Sequence, residues 1–177
     1  MGSIYSREVL GHENPVVGVL SVGGEDVKGT DMTKETLQLL GDSGLNSCGH
    51  VEGHDLFEGE TDVIVCDGFI GNAVLKSSES AAITIRHWLK ESFTKNLWRK
   101  LGALMLTGAF KEMKQKMDPD MIGGAPLLGA NGIVIIAHGA SSETAIENSI
   151  HVACSAIEHH VNPLMIEEVA KINALSD

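Results

Sequence analysis

Hydrophobic positions along the chain follow two periods. Residues 16–22, VVGVLSV, are a β-branched apolar run of the kind shown by a strand covered on both faces. DVIVCD at residues 62–67 reads as a second buried strand, and residues 45–51 offer a shorter one. Between and after them the spacing becomes helical. A helix is predicted over 30–40, ended by Gly41 and Gly44, and another over 72–86, with small and apolar residues on one side. The helical pattern continues through 87–117, with a break or bend expected near Gly102 or Gly108, and Asp118-Pro119-Asp120 stops it. GGAPLLGANGIVIIAHG then reads as two strands about a turn containing Asn131-Gly132, a strong hairpin signal. Ser141 or Ser142 is placed to cap a helix reaching about residue 160, and Asn162-Pro163 opens a last short helix.

Strands alternating with helices imply an α/β fold with a mostly parallel sheet covered on both faces, to which the hairpin adds an antiparallel element. A chain of 177 residues, 43% hydrophobic, has the apolar mass for one domain spanning 1–177. It contains no uncharged apolar run near 18 residues, and MGSIYSREVLGHENP lacks the apolar stretch of a secretory signal. Three cysteines without a CxxC spacing suit a reducing cytosol.

Candidate chemistry gathers at the strand ends. In open α/β sheets ligands bind beyond the carboxyl ends of the strands. Residues 23–29 (GGEDVKG), 67–72 (DGFIGN) and 138–142 (HGASS) each contain glycine and each precede a helix, whose first N–H groups and partial positive charge favour anions. Lys28 adds a full charge and Asn72 a neutral donor. Asp67, Gly68, Gly71, His138, Gly139 and Ser141 complete the candidate set for phosphate or carboxylate binding. Ordinary βα turns use the same residue types, and neither the phosphate-loop spacing GxxxxGK[ST] nor GxGxxG is present. His138 can hold an anion, serve as acid or base, or simply bond its own turn. Cys66 stands where a nucleophile could, although a small buried hydrophobe is the commoner role for such a cysteine. Cys48, His50 and His54 lack a fourth ligand or any zinc-finger spacing, so a polar loop is the simpler reading.

Charge changes the picture in one region. A formal net charge of −11 argues against general nucleic-acid binding, yet eight of the 13 basic residues and only two acids, Glu91 and Glu112, lie between Arg86 and Met117. Over 87–117 these charges alternate with Trp88, Leu97, Trp98, Leu101 and Leu104; Arg99 and Lys100 sit among them. Such an amphipathic helical segment, read as an insertion within the domain, suits a membrane interface, an acidic partner or a dimer contact. A helix packed on its own domain accounts for the same pattern.

Three stretches, VGVLSVGGEDVKG, VEGHDLFEGETDVIVCDGFIGNAVLKSSE and GGAPLLGANGIVIIAHGASSETAIENSI, resemble the phosphate acyltransferase family of phospholipid synthesis, in order and across nearly the whole chain. The resemblance implies transfer of a fatty acyl group from acyl-acyl carrier protein to inorganic phosphate, giving acyl phosphate. It implies a cytoplasmic homodimer peripheral to the membrane, without metal or redox cofactor. It also implies a three-layer fold of the isocitrate/isopropylmalate dehydrogenase and phosphotransacetylase type, with the basic helical segment protruding. Family members are nearly twice as long, and the likeness covers only their C-terminal half. A fragment, a truncated gene product or half of a split protein all fit. The sequence departs from the family pattern at His50, His54 and Ser21-Val22. In this frame Lys28 and Asn72 are the candidate catalytic donors, stabilising the thioester oxygen as it gains charge, while Asp67, Gly71 and His138 shape the site. Two alternatives stand beside it: a non-catalytic module that binds membrane or carrier protein, and a phosphotransacetylase-like enzyme using coenzyme A thioesters.

Overall fold

The computed structural model describes residues 1–23, 29–117 and 119–176. β1 (Val17–Leu20), β2 (Ser47–Val51) and β3 (Val63–Val65) form a parallel sheet in the order β2-β1-β3. β1 is central, as its unbroken apolar run predicts. Val17 and Val19 are buried against Leu37 and Leu40 of α2 (Asp31–Asp42). The opposite side of β1 carries Gly18, where a side chain would collide with Val51, the most deeply buried residue of β2. α2 begins at a Thr30 cap whose hydroxyl accepts from Thr33 N at 3.2 Å. It runs through Gly41 to Asp42, so Gly41 is helical and only Gly44, at φ +73, lies beyond the end.

β3 corrects the expectation of a second buried strand. Val63 and Ile64 are half-buried, Val65 is exposed, and Cys66 is exposed rather than buried. The physical reason is position: β3 pairs only with β1 and forms an edge of this sheet.

β4 (Gly124–Pro126) and β5 (Ile135–Ala137) form the expected hairpin, with Ala125 opposite Ile136, as a separate two-stranded sheet. Asn131-Gly132 lies in its loop. A bond from Leu127 N to Val134 O at 2.8 Å extends the pairing towards that loop. α6 (Glu143–Glu158) packs on the hairpin, and α7 (Val161–Ser176) packs on α6. Close contact of hairpin and helix depends on Gly123, which holds φ +85; a Cβ there would stand 2.5 Å from Ser149 N.

The N-terminal residues form a helix that the sequence pattern did not suggest, α1 (Gly2–Glu8). Its Ile4 joins Ala156, Val161 and Met165 in a second core, closed by Leu128 and Ile133 of the hairpin loop. Arg7 Nη2 reaches Glu168 Oε1 of α7 at 2.7 Å. That pair is half-exposed and contributes at most about 1 kcal/mol; apolar burial holds α1 in place. α7 is longer than expected, because Pro163 occupies the first turn, where its missing N–H leaves no bond unmade.

The long basic region forms three helices, α3 (Gly68–Thr94), α4 (Leu97–Met105) and α5 (Thr107–Met117). They break at Lys95-Asn96 and at Leu106, not at Gly102 or Gly108. Asn96 decides the first break: it is extended (φ −152, ψ 169) and its side chain accepts from Arg99 N at 2.9 Å, so a new helix starts there. A glycine inside a helix costs only about 1 kcal/mol, which neighbouring turns absorb. Phe93 and Phe110 meet edge to face at 5.1 Å and tie the end of α3 to α5. No residue of α3 or α4 is buried.

The accessible surface is 12572 Å² for an 18.8 kDa chain, whereas a compact monomer of that mass exposes roughly 8,300 Å². Large apolar side chains stand open along β3 and α3–α4, and also on α2, the hairpin and α6.

Replacing Gly123 by alanine is expected to lower stability by at least about 2 kcal/mol, from the left-handed backbone and the clash with α6 together. Urea unfolding followed by circular dichroism measures it; a loss below about 0.5 kcal/mol would show that hairpin and α6 are not in close contact.

Candidate functional site at the strand ends

Parallel pairing of β1 with β3, in register at Val19 and Val65, brings their carboxyl ends side by side. Beyond them opens a cleft of about 130 Å³, lined by Leu20, Thr33 and Thr36 on one side and by Cys66, Asp67 and Ile70 on the other. Of the three glycine-containing segments, the one at residues 67–72 borders this space. Of residues 23–29, Gly23 is buried and Gly29 sits at φ +102 beside Ser21 and Thr33. Lys28 lies outside the described residues. A larger cleft of about 370 Å³, between Met1, the hairpin loop and α7, is apolar and stands apart from the strand ends.

Asp67 starts α3. One carboxylate oxygen accepts from Phe69 N at 2.9 Å and from Ile70 N at 3.2 Å. This cap explains why Gly68 to Asn72 are helical although the sequence reads as a loop: it satisfies two free amides and places a negative charge at the positive end of the helix. Asp67 therefore partly occupies the anion-binding potential of its own helix start. A Cβ on Gly71 would lie 3.0 Å from Cys66 Sγ, so this glycine serves the close approach of helix and strand end. Gly68 faces open space. Asn72 is exposed one residue past the first turn of α3.

The third segment, between β5 and α6, touches the same helix. Lys76 Nζ lies 3.3 Å from His138 Nε2 and 2.9 Å from Glu79 Oε2. Hydrogen bonding from Lys76, partly opposed by desolvation and reinforced by the ammonium charge, holds the Glu79 carboxyl below the usual carboxylate range. Within the turn, the Ala140 amide donates to His138 Nδ1 at 3.2 Å. Ser141 donates to the His138 carbonyl through both its amide (3.0 Å) and its hydroxyl (2.6 Å), so its hydrogens are committed to the turn. Ser142, not Ser141, caps α6: its Oγ accepts from Ala145 N at 3.3 Å and donates to Asp120 Oδ2 at 2.7 Å. Gly139 is open to solvent.

Sequence reasoning missed Lys76 and Glu79. The available signal was spacing: Lys76 follows Asn72 by four residues, so both project from one face of α3. Cys48 and Cys154 are, like Cys66, free and exposed thiols. His54 Nε2 is 3.0 Å from Asp55 Oδ1, a local contact within its turn.

Along the basic region Trp88, Leu97, Trp98, Leu101 and Leu104 are all exposed, Trp98 at 82%. Arg99 and Lys100 are exposed among them. No described helix is long and apolar enough to cross a membrane.

Taken together these features define an α/β protein whose candidate site lies at the carboxyl edge of a parallel sheet. The chain belongs to a family described as fatty acid synthesis protein, whose sequence model matches residues 1–164. It is 45% identical over 183 residues to a phosphate acyltransferase of Akkermansia muciniphila and 47% identical over 173 residues to one of Halothermothrix orenii. These alignments cover 100% and 97% of this chain and 52% of each relative. A phosphate acyltransferase of Geobacter sulfurreducens is 46% identical over 96% of the chain. The chain spans about half the length of the curated relatives it matches, and the resemblance read from the three motifs holds.

Asp67→Ala is expected to cost about 1 kcal/mol by removing the cap of α3, while Asp67→Asn, which caps equally well, costs a few tenths. Amide exchange at Phe69 and Ile70 reads the difference; equal protection in both variants would remove the capping role.

Proposed function

We propose that this chain supplies about half of a phosphate acyltransferase that moves a fatty acyl group from acyl carrier protein to inorganic phosphate, releasing acyl phosphate for phospholipid synthesis. The observation that carries this reading is the match, over nearly the whole chain, to relatives named phosphate acyltransferase. The completed fold in this reading is a three-layer sandwich of the isocitrate/isopropylmalate dehydrogenase type. The complementary half extends the sheet and covers the open face along β3 and α3, and the basic helices stand out from the body.

The chemistry needs little from the protein beyond positioning and charge. Phosphate is itself the nucleophile. One of its oxygens attacks the thioester carbonyl, the carbonyl oxygen gains charge in the tetrahedral intermediate, and the carrier thiolate leaves as the acyl–oxygen bond is kept. Fixed donors directed at that oxyanion lower the barrier most, and holding two reactants in line removes much of the entropic cost. Lys28 and Asn72 are the proposed donors. Asp67, Gly68 and Gly71 shape the start of α3 beside them, and His138, Gly139 and Ser141 form the facing turn. No metal or redox cofactor enters the reaction.

Acyl carrier protein is acidic and the acyl chain is apolar, so a surface both basic and greasy suits their delivery. Trp88, Leu97, Trp98, Leu101 and Leu104, with Arg99 and Lys100, offer such a surface and fit the interfacial zone of an anionic membrane. A cytoplasmic homodimer held peripherally at the membrane would release its poorly soluble product where it is used.

With the complementary half present, phosphate-dependent loss of acyl-carrier thioester is expected, and Lys28→Ala or Asn72→Ala should each lower it at least about tenfold. Unchanged rates in both variants would remove these residues from the site. Turnover with acyl-coenzyme A but not with acyl carrier protein would favour a phosphotransacetylase-like enzyme; liposome binding without turnover on either donor would favour a non-catalytic binding module. Separately, Trp98→Ala combined with Leu101→Ala should weaken binding to phosphatidylglycerol vesicles about tenfold or more, since each side chain buries about 1.5–3 kcal/mol of apolar surface. Sedimentation with vesicles measures this, and equal binding by the double variant would place the contact elsewhere.

A further inference from the structure

His138 and Lys76 face each other with donors to spare. The Ala140 amide is a donor only and lies against Nδ1 at 3.2 Å; the Lys76 ammonium is a donor only and lies against Nε2 at 3.3 Å. A neutral imidazole has one acceptor nitrogen, not two, and a protonated one has none. If Nδ1 accepts from Ala140, Nε2 carries the hydrogen and points at an ammonium. If Nε2 accepts from Lys76, Nδ1–H points at an amide hydrogen. Each protonation state leaves at least one N–H without an acceptor in this contact. Glu79 Oε2 takes one of the three ammonium hydrogens, and both Lys76 and His138 are exposed. Asn72 adds a carboxamide one helical turn away on the same face of α3.

We propose that Lys76 and His138 are binding residues for a phosphate oxyanion, which accepts from Lys76 Nζ and His138 Nε2 at once, with the Nε2–H tautomer fixed by the Ala140 amide. A tetrahedral phosphate has acceptor oxygens spaced to take both donors. The orthophosphate that attacks the thioester is the assigned ligand, so this inference deepens and rests on the acyl-transfer reading above. It gives Lys76 a task, holding the nucleophile, separate from oxyanion stabilisation by Lys28 and Asn72. The phosphodiester of the carrier's prosthetic arm has the same chemistry and is the competing source.

Titration of the ¹⁵N-labelled chain with sodium phosphate, against sodium chloride at matched ionic strength, tests it. Phosphate but not chloride should shift the Ala140 amide and the His138 ring nitrogens, with the ring in the Nε2–H form. Lys76→Met should weaken phosphate binding about tenfold, as loss of one charge-assisted hydrogen bond implies, and His138→Phe should do likewise. Glu79→Gln frees the ammonium and should leave binding equal or tighter. If Lys76 served only the helix through Glu79, Glu79→Gln would weaken binding as Lys76→Met does, which overturns the proposal. So would an unchanged phosphate affinity in Lys76→Met, absent shifts at Ala140, or a preference for dimethyl phosphate over orthophosphate. In the assembled enzyme the Lys76→Met effect should fall on KM for phosphate with kcat largely kept. Phosphate binding at this pair without any thioester turnover would instead refute the acyl-transfer reading and leave the binding site standing.

Discussion

The parallel pairing of β1 with its neighbours is the constraint on which the site depends. Strands running the same way end on the same edge, so the ends of β1 and β3 border one cleft, with Asp67 and Ile70 at the start of α3 in its wall. That pairing is held by few contacts: Val17 and Val19 against α2 on one side, Gly18 against Val51 on the other. Gly18 is small because Val51 must cross it, and Gly71 is small because α3 must start close to Cys66. Two close approaches therefore position the carboxyl edge, and Asp67 fixes where α3 begins. From there the pitch of the helix sets Asn72 and Lys76 on one face, and Lys76 meets the turn before α6.

The same small sheet explains what lies uncovered. Among the described residues two separate cores stand out, one under α2 and one among α1, α6, α7 and the hairpin. Neither reaches α3 or α4, which bury no residue. Helices with wide apolar faces rarely stay uncovered in water. On our reading the exposed stretches divide between two partners. We propose that the rest of the family fold covers the β3–α3 side and that α4, with Trp98 and Lys100, meets carrier protein or membrane.

Sequence periodicity carried much of the fold. β1, α2, the hairpin and α6 stand close to where their patterns place them, since each is set by local signals: a β-branched run, Thr30 and Ser142 as caps, and Asn131-Gly132 in the hairpin loop. What was not legible depends on neighbours. β3 is apolar and β-branched like β1 but sits at an edge of this sheet, which residue type does not encode; hence the exposed Cys66. α1 is too short for periodicity to reveal, and only the α6–α7 core shows why it forms. The first helix break went to Asn96 instead of a glycine, because a side-chain cap determines a start more strongly than a missing side chain determines a stop; the second falls at Leu106. Glycines and charges singled out three loops in the sequence, and their joining in one site belongs to our proposal. Lys76 was passed over because a lysine inside a helix looks like solvated surface until the chain brings His138 to it. The family, by contrast, was legible from three motifs alone.

Anion location is the most direct test of the central claim, that the strand-end segments converge to hold phosphate. The measurement is anomalous diffraction from crystals of the chain joined by its complementary half and soaked in tungstate, a heavy analogue of phosphate. Our account predicts density within hydrogen-bond reach of Lys76 Nζ and His138 Nε2, on the Asn72 face of α3. Density confined to the basic surface of α4, or an empty site with the Lys76–His138 contact intact, would contradict it.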